Sequence, residues 1–279
     1  MRKGPRLAYY FAMIRLGLCS GACITRDTKS VIAAASAARL DAVEWAADAH
    51  VGVGDLKAAE DAMMATLVAG LTTASYATLY RVGIDDAGYS RFDALLKVAS
   101  VMQAPTMRLF ACGIGAIPDG KSMGEARALA FIASALSRLG DRAAKAGITL
   151  CLSMGRGTLL DGYDRASSVV AAVGHDFVRL AWEDLPGWKA GEATAALESA
   201  GSFAGLVLAR CAGRDGSPRS VAEDESAWRK RIRAFKRAET DPKMGSFVLL
   251  GALRPEGEAG DESLAADART LRALIAEDD

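Results

Sequence analysis

The residues able to do chemistry in this chain sit at the ends of short apolar runs. The run ITLCLS ends on Ser153, and Gly155 and Arg156 follow in a polar turn within 148–161. Comparable runs end on Cys19 and Ser20, on Glu44 with Asp48 and His50 behind it, and on Ser75 and Tyr76. Others end on Arg108 and Cys112, on Glu183 and Asp184, on Arg210 and Cys211, and on Gly251 with Arg254. The set is rich in arginine and poor in histidine. Glu44, His50 and Glu183 are the candidate proton carriers, because carboxyl and imidazole groups can be tuned toward neutral pH. Arg81, Arg108, Arg210, Arg214 and Arg219 suit an anion, since guanidinium forks match carboxylate and phosphate oxygens. Ser153 and Arg156 are candidate ligand contacts, and Tyr76 and Trp182 could stack on a ligand face.

Each candidate has a plainer reading. Glu44 serves equally well as an ion-paired wall residue and His50 as a surface loop residue. Single arginines could pair with Glu44, Asp48, Asp55 or Glu183 and hold the rim together, and rim aromatics often only pack. Glu183 and Asp184 are adjacent, so on a strand they face opposite ways and are not a carboxylate pair. His175 falls in a connection on the opposite face.

Positioning these residues takes eight repeats of one unit. Strand-like runs at 14–20, 41–46, 71–76, 106–111, 148–153, 177–182, 204–210 and 246–253 alternate with helical stretches. Asp55 reads as a helix N-cap and Gly70 as that helix's stop. Ser122 and Glu125 have capping-box spacing. Phe92, Leu95, Leu96, Ala99 and Met102 recur at helical intervals. Near-continuous apolar strands alternating with helices predict a parallel sheet covered on its outside, an α/β fold closed as a (β/α)8 TIM barrel. The C-terminal strand ends then carry the site. An open doubly wound sheet is the alternative, but no Gly-x-Gly-x-x-Gly follows the first run. Residues 1–13 are expected to be an appendage and 14–279 one barrel domain.

Composition narrows the partners. The 279 residues carry 34 Lys plus Arg against 34 Asp plus Glu, so no global field draws in nucleic acid or an anionic membrane. Five scattered cysteines imply reduced thiols and a cytoplasmic protein. The segments 113–121 and 212–224 would lie on the site face as lids, edges or an oligomer contact.

The segments DAVEWAADAHVGVGD, SYATLYRVG, APTMRLFACGIG, ITLCLSMGRGTLLD, 219–228 and FVLLGALR together resemble the sugar phosphate isomerase/epimerase family, the xylose-isomerase-like barrels, over about 14–275. The resemblance implies a divalent metal such as Mn, Mg or Zn, held by a carboxylate or His from each of the last four strand ends. That ion polarises a sugar carbonyl while acid/base groups move a proton. Here Ser153 stands where the fifth-strand Glu is expected, Gly155 where a His often follows, Arg210 on the seventh strand and Gly251 in place of the eighth-strand Glu. Only Glu183 keeps a ligand type. One carboxylate beside Arg156 and Arg210 cannot replace three lost ligands, so the metal site is expected to be degenerate, with no tightly bound cofactor. A softer site from Cys19, Cys112, Cys211 and His50 is the alternative.

Two functions follow from the resemblance. One is an isomerase or epimerase of a small anionic sugar derivative, with Glu44, His50 and Glu183 catalytic and Tyr76, Arg81, Arg108, Ser153, Arg156, Trp182, Arg210 and Arg219 on the substrate. The other is a catalytically inactive barrel that binds a sugar or a protein. The implied partner is a small-molecule sugar or sugar phosphate, and a homo-oligomer through the outer helices is compatible with either.

Overall fold

The structure is a computed structural model that describes residues 14–111, 113, 124–155, 158–184, 189–210, 217, 219–238, 245–251 and 258–277. Eight parallel strands close on themselves in sequence order, as a (β/α)8 barrel. They are β1 (Arg15–Cys19), β2 (Ala42–Ala46), β3 (Thr72–Val82), β4 (Thr106–Ala111), β5 (Thr149–Ser153), β6 (Val178–Glu183), β7 (Ala204–Ala209) and β8 (Phe247–Leu250). Between and after them run α1 (Thr28–Ala37), α2 (Leu56–Val68), α3 (Ser90–Val101), α4 (Glu125–Lys145), α5 (Tyr163–Val173), α6 (Ala190–Ala200), α7 (Glu225–Arg237) and α8 (Glu258–Ala276). Residues 1–13 lie outside the described residues. Among the described residues no helix is long and apolar enough to cross a membrane.

Strand periodicity builds two separate cores, because successive side chains point to opposite faces. The lumen is filled by Ala42, Ala74, Cys151, Ala181, Leu206, Leu208, Phe247 and Leu249. The other face of the same strands, with Val43, Trp45, Tyr76, Met107, Trp182 and Val248, packs on the helices through residues such as Phe92, Leu136, Leu197 and Trp228. The same alternation puts Cys19, Glu44, Arg108, Ser153 and Glu183 together at the C-terminal end of the lumen, where they reach one another directly.

Local signals hold at several termini and fail at two. Asp55 caps α2, accepting the Ala58 N–H at 2.9 Å, and Gly70 follows with φ +75°. Asp27 does the same for α1 through the Ser30 N–H at 2.8 Å. The expected capping box does not head α4: Gly124 is the cap residue and Glu125 the first helical one, while Ser122 lies outside the described residues. The third strand runs on to Val82 instead of ending at Tyr76. Its pairing with β4 skips from Ala77↔Arg108 to Arg81↔Phe110. The Thr78 hydroxyl bridges the gap by donating to the Arg108 carbonyl at 2.8 Å. A strand that keeps pairing beyond an irregularity has no simple sequence signature.

Gly17 in β1 marks how tightly the lumen is filled. A Cβ there would fall 2.7 Å from Leu249 Cδ2 and 3.2 Å from the Ala42 carbonyl oxygen. Overpacking of this kind typically costs about 1–3 kcal/mol. Gly17→Val should lower the urea midpoint accordingly with an unchanged m-value, and a midpoint equal to wild type would show that the lumen has slack.

Candidate functional site

At the C-terminal end of the lumen four charges alternate in a chain. Arg108 from β4 places Nε 2.8 Å and 3.2 Å from the two carboxylate oxygens of Glu44 on β2. Its Nη1 donates to Ser153 Oγ at 3.2 Å and lies 3.6 Å from Glu183 Oε1, while Nη2 lies 3.8 Å from Cys19 Sγ. Beyond β7, Arg210 brings Nε to 3.0 Å from Glu183 Oε2. That contact is a charge pairing without hydrogen-bond alignment, since Arg210 Nε and Glu183 Oε1 have no hydrogen-bond partner.

Burial gives the chain its rigidity. Glu44, Glu183 and Arg108 are 0%, 2% and 4% exposed. A single ion so placed would neutralise itself, whereas a paired and hydrogen-bonded one persists. Burial pulls the Arg108 guanidinium down, but Glu44, Cys19 and Glu183 together raise it, so it keeps its proton. The Cys19 thiol is pushed up to about 12, by burial first and by Glu44 second, which leaves it an un-ionised floor residue.

Above this chain opens a cavity of about 260 Å³. Cys19, Arg108 and Arg210 form its base, and Leu79, Phe110 and Asp48 stand among its walls. Gly251 at the end of β8 lies beside Arg210, whose Cγ would be in ordinary van der Waals contact, at 3.7 Å, with a Cβ at that position.

Glu44, Arg108, Ser153, Glu183 and Arg210 thus come together, with Cys19, Asp48 and Gly251 beside them, whereas His50, Tyr76, Trp182, Arg81 and Arg219 do not join them. His50 is turned to the β1–α1 connection, its Nε2 3.0 Å from the Arg26 carbonyl oxygen and its ring edge-on to Trp45 at 5.7 Å. Burial holds its pKa below the ordinary 6.5. Tyr76 and Trp182 face outward and do not line the cavity, because strand parity puts Tyr76 in the row with Trp45 and Met107 and Trp182 beside Val207 in the outer core. Tyr76 donates its hydroxyl to the Val51 carbonyl at 2.7 Å, and Trp182 is stacked on Tyr163 and edge-on to Trp228. Arg81 pairs with Asp85 at 3.3 Å, and Arg219 with Glu223 at 2.9 Å and Asp224 at 3.4 Å, both away from the cavity lining. Arg156, Cys112, Cys211, Arg214 and Arg254 lie outside the described residues, as do 114–121, 212–216 and 218. His175 packs against Gly140 and accepts the Phe177 N–H at 3.0 Å, on the far face.

Sequence reasoning missed Phe110, Thr78 and Leu79 as cavity residues. Phe110 was legible two positions after Arg108 by strand parity; the other two lie in the unforeseen extension of β3. It also missed the pair of Asp184 with Arg231, at 2.9 Å and with Arg231 2% exposed, which ties β6 to α7. Arg231 sits among Trp228, Ile232 and Phe235 on the buried face of α7, and a charge in an apolar stripe was the available signal.

Comparison with known protein families and with curated proteins finds no match. Solved structures similar to the chain include an IolI protein with a zinc atom, at TM-score 0.74 and 13% identity over 94% of this chain and 98% of the other. They also include a D-psicose 3-epimerase from Clostridium cellulolyticum H10, at 0.69 and 15% over 94% and 99%. A third is a xylose isomerase-like TIM barrel protein from Mycobacterium smegmatis with magnesium, at 0.65 and 14% over 95% and 98%. The chain has the xylose-isomerase-like TIM-barrel fold. At such identities the likeness is one of backbone, and what the site does must come from its own residues.

Those residues do not fit the divalent ion that a xylose-isomerase-like barrel implies. Of the four positions concerned, Ser153 accepts from Arg108, Glu183 lies between two guanidinium groups, Arg210 is itself a cation, and Gly251 has no side chain. A hard cation needs several anionic or dipolar oxygens in fixed geometry. Among the described residues no three His, Cys, Asp or Glu gather as a metal would require.

Two outcomes test this geometry. Arg108→Met leaves Glu44 buried without its cation, so it should cost about 3–5 kcal/mol in urea unfolding. The double variant Glu44→Gln/Arg108→Met should recover part of that loss, and a double variant no more stable than the single one would contradict the pairing. For His50 the lowered pKa means the folded state binds the proton less tightly than the unfolded chain. Stability should therefore fall as the pH drops below 6.5, and His50→Gln should flatten that slope. Parallel slopes for the two proteins would show the imidazole is not the group responsible.

Proposed function

We propose that this barrel binds a small anionic sugar derivative at the C-terminal mouth of its strands and does not use a divalent ion. One observation carries the reading: the Arg108 guanidinium stands between Glu44 and Glu183, the two carboxylates that chemistry at this mouth would need. A carboxylate held by a buried arginine is a poor proton carrier, because giving it a proton breaks the pairing that offsets its burial. The third candidate carrier, His50, is directed away from the cavity. What remains is a concave, partly apolar site with an accessible guanidinium, which is the equipment for recognition. The partner is a small molecule, and the absence of a disulfide at Cys19, Cys23 and Cys151 suits a reducing cytoplasm. Residues 14–279 act as one binding domain.

The second reading, an isomerase or epimerase, is favoured by the likeness to a D-psicose 3-epimerase. Proton transfer beside a carbonyl leaves a trace that binding does not. In deuterium oxide, a ketose and sugar-phosphate panel incubated with the protein should show no exchange at the carbon next to the carbonyl by NMR. The same panel with added sugar acids should raise the melting temperature for at least one anionic member. Enzyme-dependent deuterium incorporation would establish the second reading and overturn the first.

A further inference from the structure

We infer that the anion read at this mouth is a carboxylate, seated on the terminal nitrogens of Arg210, so that the ligand is a small sugar acid and not a sugar phosphate. The inference rests on the binding function proposed above and narrows its ligand class. Three observations converge on it.

The two arginines at the base of the cavity are not equivalent. Arg108 has Nε bound to both oxygens of Glu44, Nη1 to Ser153 and Nη2 against the Cys19 sulfur, so it has no fork left to offer. Arg210 is anchored at Nε by Glu183 and is 40% exposed at its side chain. Among the described residues its terminal nitrogens have no partner. An arginine fixed at Nε with two parallel N–H groups free presents the fork that matches a carboxylate.

Charge then separates the two anion classes. Glu44 and Glu183 against Arg108 and Arg210 sum to zero, and Asp48 on the cavity wall adds one negative charge. A monoanion on Arg210 places one negative charge beside that neutral chain. A phosphate monoester brings roughly −1.5 to −2 at neutral pH, with no second unpaired cation among the described lining residues to meet it and with Asp48 and Glu183 nearby.

Size and lining limit the rest of the ligand. A cavity of about 260 Å³ is below the range of drug-sized sites, so a short acid fits best. Ala46, Ala77, Leu79 and Phe110 offer apolar wall, and the Thr78 hydroxyl is already given to the Arg108 carbonyl. Among the described lining residues few side chains other than Asp48 remain for a chain of many hydroxyls.

Isothermal titration of the full chain with glycerate, threonate and gluconate, against glycerol 3-phosphate, erythrose 4-phosphate and glucose 6-phosphate, tests this directly. At least one acid should bind about tenfold or more tightly than its phosphate counterpart. Arg210→Lys, which keeps the charge and loses the fork, should weaken that acid by about tenfold or more with circular dichroism and melting unchanged. Tighter binding of the phosphates, or an acid affinity unaffected by Arg210→Lys, would overturn the carboxylate inference and leave the binding function standing. Heat of binding from neither class would overturn both.

Discussion

The constraint on which this structure depends is the cost of keeping two carboxylates charged at the closed end of a protein lumen. Desolvation of an ion costs several kcal/mol even after relaxation, so Glu44 and Glu183 require a cation close by. The residue that answers this is Arg108, which reaches across from β4 to both. Everything else at the mouth follows from its position. Ser153 accepts from Nη1, Cys19 stays protonated because it is enclosed beside Glu44, and Gly251 lies beside the Arg210 side chain.

A guanidinium and a divalent ion solve the same electrostatic problem in different ways. A metal gathers oxygens around a point and leaves positions open for a substrate's own oxygens. A guanidinium spreads its charge over a plane and uses up its donors on the groups that hold it. At this mouth the central cation is a guanidinium whose donors go to the protein's own side chains. The accessible charge moves outward to Arg210, where a ligand can meet it.

The barrel was legible because its signals are periodic and repeated. Eight apolar runs alternating with helical stretches leave few topologies, and even the Asp55 cap and Gly70 stop appear where spacing put them. The gathering of Glu44, Arg108, Ser153, Glu183 and Arg210 was legible too, since strand parity sends them to one end of one lumen. Parity also separates Tyr76 and Trp182 from them, since both sit one position out of phase with the lumen residues and so join the outer core. His50 and Arg219 failed for another reason: they lie in connections, where spacing does not fix direction and the nearest carbonyl or carboxylate decides. The extension of β3 past Tyr76 depended on a pairing irregularity with β4, a property of two strands that neither reveals alone.

The central claim is that Arg108 fills the role of the cation at the barrel mouth. Elemental analysis of the purified protein, followed by titration with Mn²⁺ and Zn²⁺ under calorimetry, tests it most directly. The account predicts metal far below one equivalent and no saturable heat for either ion. Stoichiometric metal that survives dialysis and is lost in a Glu183→Gln variant would contradict it.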